Sequence, residues 1–432
     1  MSISFSASSP SAAPLGHKGV LAAVIGNGFE LFDFTVFSLL APVIAAKFFT
    51  AAGAEDSLMP LVYTLALFGA GFIARPAGAV ILGHLADVRG RRAAMLVSMT
   101  SMALGTLMLA LTPEGPPGGM FAAVWLLIAR LIQGFAVGGE IGSSTSYLLE
   151  QAPRGAQARF VSMQMSSQGA AALCGALLCF ALFKGLSTEQ LHGWGWRVPF
   201  FLGALVGPVG LYLRRHAPAD HPSLGQEAVG LRDVLAHRRP AVARGIGLML
   251  AGTTTLYIWV FFMPSYLSSV LGMGATPSFL SGCTAGAVLA VGAPLAGRWL
   301  DRSADQARLV FRALLGSAVL TLPAFAAITA FPSLAVLVPI VAVMIALLSM
   351  ATSGGLLLIL RAFPRGSRAA GLGLVYSAGV TLFGGASQAV AAWLIQQTGQ
   401  PLAVAGYLVA CQAVSLAVLP AMARLDVSRE SR

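Results

Sequence analysis

The chain has 432 residues, of which 57% are hydrophobic and only 10% are charged. Soluble domains carry about 25% charged residues, so this composition excludes an ordinary soluble protein and indicates that most of the chain faces lipid or a packed helical interior. The net charge of +11 would suit a nucleic-acid partner. However, the basic residues are concentrated in alternate loops, and that distribution excludes this class.

Apolar runs of helical length predict about twelve membrane-spanning helices in two sets of six. The first set lies at roughly 19–46, 58–83, 93–112, 120–149, 160–184 and 197–213. The second set lies at roughly 242–270, 276–297, 309–331, 334–361, 369–397 and 401–423. The predicted fold is an all-α integral membrane protein with a disordered cytoplasmic tail (1–18), a six-helix bundle (19–213), a cytoplasmic linker (214–241), a second six-helix bundle (242–423) and a cytoplasmic tail (424–432).

Charged residues in the loops predict the orientation of the chain. Every second loop of the first set is basic, with Arg89, Arg91, Arg92, Arg154 and Arg159. The intervening loops contain the acids Glu55, Asp56, Glu114 and Glu189. By the positive-inside rule, the basic loops and both termini are predicted to be cytoplasmic, in a bacterial inner membrane.

Two charged motifs occur once in each half of the chain. GHLADVRGRR (Gly83 to Arg92) has a reduced copy in GRWLDRSADQAR (Gly297 to Arg308), and Pro-Arg-Gly at 153–155 recurs at 364–366. The copies have the same predicted orientation in the membrane. This is the parallel repeat of transporters whose two six-helix halves rock against each other around a central site.

Several motifs resemble those of a known family. Gly83, Asp87, Gly90, Arg91 and Arg92 resemble the signature loop of the major facilitator superfamily, although Val88 replaces the basic residue usual after the aspartate. Four further segments resemble motifs of the metabolite:proton symporter family, which belongs to this superfamily: GNGFELFDF (26–34), FIARPAG (72–78), RLIQGFAVGGE (130–140) and WGWRVPFF (194–201). Members of that family carry citrate, tricarballylate, α-ketoglutarate, shikimate or proline/betaine. The citrate branch is resembled most by TTTLYIW (253–259) and LFGGASQAV (382–390). The resemblance implies a proton-coupled transporter.

Charges within membrane helices are costly and mark functional sites. The first half has five, namely Glu30, Asp33, Arg75, Arg130 and Glu140. We predict that Asp33 carries the proton, with Glu30 as second candidate and Arg130 and Glu140 as partners, because a carboxylate shielded from water can take up a proton while a nearby arginine opposes this. The alternative is a static acid–arginine pair that braces helices 1 and 4.

Candidate substrate contacts combine the arginines with neutral polar groups. Arg130, near mid-membrane, could bind a carboxylate bidentately or form an internal salt bridge. Arg75 could point into the cavity or reach the inner interface. The predicted substrate-binding residues are Arg130, Arg75, Asn27, Gln133, Gln164, Gln168, Tyr257 and Gln388, with Gln168 and Tyr257 leading among the neutral ones because the resemblance places their helices at the cavity.

The repeated charged motifs also predict a gate that holds the halves together. Its predicted residues are Asp87, Arg91, Arg92, Glu150, Asp301 and Arg302. The alternative is that these charges only set the topology of the chain.

Motifs of other classes are missing from the sequence. It contains no HExxH, P-loop or GxSxG motif, which disfavours an enzyme and an ATP-driven pump. The four cysteines lie in apolar segments without metal-ligand spacing, and the six histidines lie in loops or at helix ends. We therefore predict no metal and no cofactor other than the coupling proton.

The function that these observations favour is proton-coupled uptake of a small organic anion, a di- or tricarboxylate such as citrate, by alternating access. The alternatives are a proline/betaine-type osmolyte:proton symporter and a proton-coupled drug exporter. The predicted partners are the substrate, protons and the lipid bilayer, and the predicted state is a monomer.

Overall fold

The computed structural model describes residues 17–50, 57–89, 91–114, 119–138, 140–205, 234 and 236–425, and it is helical without strands in these ranges. In the first half the helices are α1 (His17–Leu39), α2 (Ala41–Phe48), α3 (Met59–Ile73), α4 (Arg75–Arg89), α5 (Arg91–Ala110), α6 (Met120–Val137), α7 (Glu140–Gln151), α8 (Gln157–Gly185), α9 (Thr188–Gly193) and α10 (198–205). In the second half they are α11 (Arg239–Val270), α12 (Ala275–Arg302), α13 (Gln306–Ala330), α14 (Leu334–Arg361), α15 (Arg368–Thr398) and α16 (Ala403–Ala423).

The described helices include ten that are long and apolar enough to cross a membrane, or eleven if α1 and α2 form one bent span. Between Leu31–Leu39 and α2 the chain bends by 59°. A proline near the start of α2, Pro42, lacks the N–H that would continue the α1 hydrogen-bond ladder. The span predicted at 197–213 is described only over 198–205. The all-α membrane fold predicted from the sequence is confirmed.

The second predicted span is longer than expected and is broken in its middle. It was expected to end at residue 83, but α4 continues to Arg89, so the first part of the charged motif is helical rather than a loop. Gly83 alone does not stop a helix that continues through Leu85 and other good helix formers. The second copy behaves in the same way, because 297–302 form the end of α12.

The break between α3 and α4 brings the two halves together. Pro76 cannot donate a backbone hydrogen bond to the carbonyl group of Phe72, four residues earlier. That carbonyl instead accepts a hydrogen bond of 3.0 Å from the Thr381 hydroxyl of α15, in the second half. A helix break encoded by a proline in one half is thus stabilised by a hydroxyl group from the other.

Among the described helices, the most extensive contact between the halves joins α8 to α12. Glycines let the two backbones touch along this contact: Gly169 lies against Ala290, Gly286 against Leu173 and Gly297 against Arg159. A Cβ atom on Gly297 would lie 2.6 Å from the Cα atom of Arg159, which leaves no space for a side chain. Such small-residue contacts let membrane helices approach closely.

The halves also touch near both ends of the helices. We define the basic end by the connections 152–156, 303–305 and 362–367, and the opposite end by the described residues 49–50, 57–58, 111–114 and 399–402. At the basic end α7 packs against α15, where Gly142 lies against Ala369. At the opposite end the Leu58 N–H donates to Gln396 Oε1 at 2.8 Å. Contact at both ends describes a closed arrangement.

An ion cluster stabilises the opposite end within the first half. Glu114 Oε1 lies 2.9 Å from Lys47 Nζ and 3.0 Å from Arg197 Nη1. Lys47 also donates to the carbonyl group of His192, and Arg197 donates to that of Thr112. Hydrogen bonds from Lys47 and then Arg197 lower the pKa of Glu114 below its ordinary value of 4.5. The cluster links three connections of the first half.

We expect Glu114→Gln to make the first half less sensitive to acid. A carboxyl group whose pKa is lowered by folding stabilises the folded state above its ordinary pKa of 4.5, and this contribution is lost as the pH falls through the lowered folded value. As the pH is lowered past about 4.5, the melting temperature of the wild type in detergent should therefore decrease more steeply than that of Glu114→Gln. A matched control is Glu189→Gln, because Glu189 forms no ion pair among the described residues. Equal slopes for Glu114→Gln and the wild type would contradict this expectation.

Candidate proton and substrate site

Asp33 lies inside the first half, with its side chain directed between three helices. The residue is 3% exposed. Its Oδ2 accepts a hydrogen bond from the Thr106 hydroxyl of α5, and its Oδ1 lies against Gly203 of α10 without a hydrogen-bond partner among the described residues. A carboxyl group in this position is separated from bulk water by α1, α5 and α10.

Hydrogen bonds connect Asp33 to Arg130 through two neutral side chains. Thr106 Oγ1 accepts from Gln133 Nε2 at 2.9 Å, and Gln133 Oε1 accepts from Arg130 Nη1 at 2.8 Å. Within the described structure, Asp33 and Arg130 form no direct salt bridge. The structure instead connects Asp33 to Arg130 through Thr106 and Gln133, and we call these four residues the Asp33–Arg130 chain.

Thr106 can serve both protonation states of Asp33. When Asp33 is ionised, the Thr106 hydroxyl donates to it. When Asp33 is protonated, the carboxyl group can donate to Thr106, whose own proton then turns to the carbonyl oxygen of Met102 at 3.0 Å. The change of charge therefore requires only the rotation of a hydroxyl group. Sequence reasoning missed Thr106, because a threonine in an apolar helix has no distinguishing pattern.

Aromatic rings cover the arginines of the site. The aromatic cluster consists of Phe34, Phe37, Phe68, Phe72 and Tyr257, with neighbouring ring centroids 5.3 to 6.1 Å apart. The guanidinium of fully buried Arg130 lies 3.6 Å from the Phe37 centroid, and its Nε and Nη2 atoms have no described hydrogen-bond partner. Cation–π attraction offsets part of the cost of burying this charge.

Arg75 lies in the interior, which was one of the two alternatives left by the sequence. It is 4% exposed, and its guanidinium lies 4.2 Å from the centroid of Phe72. The structure does not place Arg75 close to the basic end of its helix, because α4 continues for fourteen residues beyond it. At a rise of about 1.5 Å per residue, these residues separate Arg75 from the end of α4 by a distance that its side chain cannot span. The side chain therefore does not reach the membrane interface at the basic end.

Asn27 and Gln164 bind each other rather than an open space. Gln164 Nε2 donates to Asn27 Oδ1 at 2.7 Å, and Asn27 Nδ2 donates to Ser167 Oγ at 2.6 Å, which fixes α1 to α8. Gln168, one turn further along α8, is 2% exposed, and neither polar atom of its side chain has a hydrogen-bond partner within the described part of the chain. Of the three, Gln168 retains the greatest capacity to bind a ligand.

Gln388 connects the two halves towards the opposite end. Its Oε1 accepts a hydrogen bond of 2.5 Å from the Ser38 hydroxyl of α1, while its Nε2 has no described partner. Ser38 also lies 3.2 Å from the carbonyl oxygen of Phe261 in α11. Separation of the halves at this end would break these contacts, so Gln388 lies at a gate as well as among the predicted ligands.

A neutral cavity of about 40 Å³ lies beside the aromatic cluster. Helices α8, α11, α13, α14 and α15 line it, and its polar lining residues are Thr253, Tyr257, Thr352 and Tyr376. Tyr257 is the one predicted substrate residue in its lining. Next to the cavity, α11 is π-helical over Tyr257–Phe262 and α15 over Val380–Gly384. Such segments frequently occur at functional sites.

The basic end contains one of the predicted gate residues in a contact between the halves. Asp301, at the end of α12, accepts backbone hydrogen bonds from Ala158 at 2.8 Å and Arg159 at 3.0 Å, in the first turn of α8. Exposed Glu150 and Arg302 form no hydrogen bond or ion pair with the described residues. The side chains of the other predicted residues lie outside the described part of the structure: Glu30, Asp87, Arg91, Arg92 and Glu140.

A second contact at the basic end was missed by sequence reasoning. Arg361 of α14 donates to Gln306 Oε1 at 2.7 Å and, across the halves, to Gln157 Oε1 at 2.8 Å. In the sequence, Arg361 is distinguished only by its position at a helix end. Arginines that only set the topology of the chain typically occupy the same position, so the contact could not be predicted.

Two facing bundles of apolar helices, with buried charges and polar groups between them, define an integral membrane transporter rather than an enzyme. The model of the Major Facilitator Superfamily matches residues 23–387. The chain belongs to the major facilitator superfamily and is a multi-pass, non-enzymatic transporter. The family predicted from the sequence is confirmed.

Three relatives are similar to the chain over most of their length. A citrate-proton symporter of Klebsiella pneumoniae is 32% identical over 88% of this chain and 86% of the relative. The α-ketoglutarate permease of Escherichia coli (strain K12) is 32% identical, over 86% of both. A putative proline/betaine transporter of Staphylococcus aureus (strain COL) is 30% identical, over 93% and 87%. A crystal structure of a D-xylose-proton symporter shares the fold, with a TM-score of 0.75, 16% identity and coverage of 94% and 96%.

Proposed function

We propose that this protein is a proton-coupled symporter that imports a small organic anion, a di- or tricarboxylate such as citrate, by alternating access. The observation that carries the proposal is the Asp33–Arg130 chain, which can hold a proton inside the first half. Similarity to citrate-proton symporters and to an α-ketoglutarate permease supports the substrate class. We further propose that the basic end and both termini are cytoplasmic in a bacterial inner membrane.

In this mechanism Asp33 is the proton carrier. In the outward-open state a proton from outside reaches Asp33, and Thr106 reverses its hydrogen bond. Neutral Asp33 no longer attracts the Arg130 charge, which weakens the hold of α1 and α5 on α6. In the inward-open state, water that reaches the site stabilises the carboxylate again, and the proton is released.

The contacts between the halves supply the two gates. The outward-open state requires that Ser38 leave Gln388. The inward-open state requires that Asp301 leave the first turn of α8. The long contact of α8 with α12 suits a pivot, because its close backbones can rotate against each other without moving large side chains.

The membrane potential constrains the proton stoichiometry. It contributes about 2.3 kcal/mol per net charge per 100 mV. Import of an anion is therefore driven by the potential only when the protons carried exceed the charges of the anion, and otherwise it depends on the pH gradient.

A proline/betaine-type osmolyte symporter is the second candidate. It is favoured by the similarity to a putative proline/betaine transporter at 30% identity. An osmolyte with a carboxylate and a quaternary amine has no net charge, whereas the described interior contains two buried arginines and one buried carboxyl group, Asp33. The buried arginines repel the positive charge of a quaternary amine, which favours an anion. The third candidate from the sequence, a drug exporter, has no observation of its own to favour it.

The deciding experiment is uptake of labelled citrate into proteoliposomes under an imposed inward proton gradient. We expect gradient-dependent accumulation that a protonophore abolishes. Labelled α-ketoglutarate and proline, tested in parallel, define the substrate class. Uptake of proline without either carboxylate would overturn the proposal in favour of the osmolyte transporter, and gradient-independent uptake would overturn proton coupling.

A further inference from the structure

The described structure leaves the buried cation of Arg75 without a hydrogen-bond partner. No nitrogen of its guanidinium donates to a described residue, and its Nε atom is fully buried without a partner. Its described contacts are the rings of Phe72, at 4.2 Å from the centroid, and Phe34, at 5.4 Å. Arginine has five N–H donors in a planar fork. Buried polar groups are nearly always paired, so a fork without a partner in the described structure suits a ligand that binds between the helices.

The surroundings of Arg75 place that partner between the two halves. Arg75 lines a small cavity of about 10 Å³ together with Gly138, Gly142, Tyr376 and Ser377. The first two belong to the α6–α7 region of the first half, and the last two to α15 of the second half. A ligand held by Arg75 would therefore contact both moving parts of the protein.

The small cavity adjoins the neutral cavity. Tyr376 lines both of them. The neutral cavity has no charged residue in its lining, so it suits the uncharged part of a ligand, while the Arg75 fork suits a carboxylate. A small organic acid could extend from one cavity to the other past Tyr376 when the halves open.

Arg130 is occupied in a different way. It donates to Gln133 within the Asp33–Arg130 chain and is covered by Phe37, and it does not line either of these cavities. Both arginines lie near the Phe34 ring, but their other neighbours differ: Arg130 belongs to a hydrogen-bond chain with the proton carrier, and Arg75 lines a cavity between the halves.

We propose that Arg75 is the carboxylate receptor of this transporter: its guanidinium binds one carboxylate of the substrate between the halves, the neutral cavity beside Tyr376 holds the remainder, and Arg130 serves the proton. This proposal rests on the proposed function. The proposal adds to that function by assigning the anion and the proton to separate arginines. It also requires a single ionised carboxylate on the substrate for binding.

The test is counterflow of labelled citrate and of labelled α-ketoglutarate in proteoliposomes without a proton gradient, so that binding and exchange are measured apart from proton coupling. Unlabelled glutarate and its neutral diamide, glutaramide, serve as competitors. In the wild type, glutarate should compete at least about tenfold better than glutaramide, the equivalent of 1.4 kcal/mol. In Arg75→Gln, the apparent KM of the tracer should rise at least about tenfold, and the preference for acid over amide should disappear.

Further variants separate binding from folding. Arg75→Lys keeps the charge but loses the bidentate fork, so its KM should lie between those of the wild type and Arg75→Gln. It also serves as the test if Arg75→Gln fails to fold, because an unchanged KM in Arg75→Lys would overturn the proposal. Arg130→Gln should retain the preference for acid over amide while losing gradient-driven accumulation.

Two other results would overturn the proposal. One is an unchanged acid preference in folded Arg75→Gln. The other is the same loss of preference in Glu140→Gln as in Arg75→Gln, which would assign Arg75 to an internal ion pair. If the wild type exchanges neither carboxylate tracer, the proposed function itself fails, and that outcome differs from a functional wild type with an unaffected Arg75→Gln variant.

Discussion

Asp33→Asn is expected to abolish proton-driven accumulation of citrate while preserving exchange of citrate across the membrane. Asparagine has the shape of aspartate, and its side-chain oxygen can still accept the hydrogen bond from Thr106. However, it cannot bind or release a proton in the physiological range. The substrate should therefore equilibrate across the membrane without accumulating, whatever the imposed pH gradient.

The measurement is accumulation of labelled citrate under an inward proton gradient, beside counterflow without one. A matched control is Asp305→Asn, which removes a carboxylate from an exposed connection of the second half. It should leave accumulation at the wild-type level. Accumulation by Asp33→Asn would assign proton coupling elsewhere, first to Glu30. Loss of counterflow as well as accumulation would favour the static bracing role over the proton carrier.

The charged candidates for this site could be selected from the sequence, because a charge within a membrane helix is rare enough to be informative by itself. Asp33, Arg75 and Arg130 were selected in this way, and the structure brings the arginines to one aromatic cluster. How they are connected was not predictable. Thr106 and the rings of Phe37 and Phe72 have no sequence pattern that separates them from ordinary packing residues, and only the tertiary fold brings them beside the charges.

The ends of the helices and the pairs that they form were likewise not predictable from the local sequence. The spans were predictable from hydropathy, but α4 continues past Gly83 because local helix propensity outweighs a single glycine. The α8–α12 contact depends on Gly169, Gly286 and Gly297 meeting backbone atoms of the other half. Their spacing allows close packing, but the chain contains 49 glycines, so the spacing alone does not predict which helix packs against which. Partner choice depends on the arrangement of all helices at once.

Asp301→Ala is expected to shift the protein towards the state that is open at the basic end. The carboxylate of the second half accepts two backbone N–H groups, of Ala158 and Arg159, in the first turn of α8. These groups have no partner within their own helix, and the positive end of the helix dipole favours an anion there. A hydrogen bond to a charged group contributes about 1.5–3 kcal/mol, so its loss should shift the equilibrium by about ten- to a hundredfold.

Asp305→Ala is the matched control for this experiment. Asp305 also accepts a backbone N–H at a helix start, that of Arg308 at 3.0 Å, but within α13 and therefore within one half. Its removal should weaken that helix without changing the relation between the halves. Both substitutions remove a helix cap, but only Asp301→Ala also removes a contact between the halves. The comparison therefore distinguishes the effect of that contact from the effect of losing a cap.

The measurement is the distance between spin labels on either side of the basic end, at Arg154→Cys and Ala304→Cys, in a background whose four native cysteines are replaced by alanine. We expect Asp301→Ala to increase the population with the longer distance, Asp301→Asn to give an intermediate result because it keeps an uncharged acceptor, and Asp305→Ala to match the parent protein. If Asp301→Ala and Asp305→Ala give the same distribution, Asp301 is only a helix cap. Since opening at this end must break the Asp301 contact whichever substrate is carried, the result does not depend on the identity of the anion.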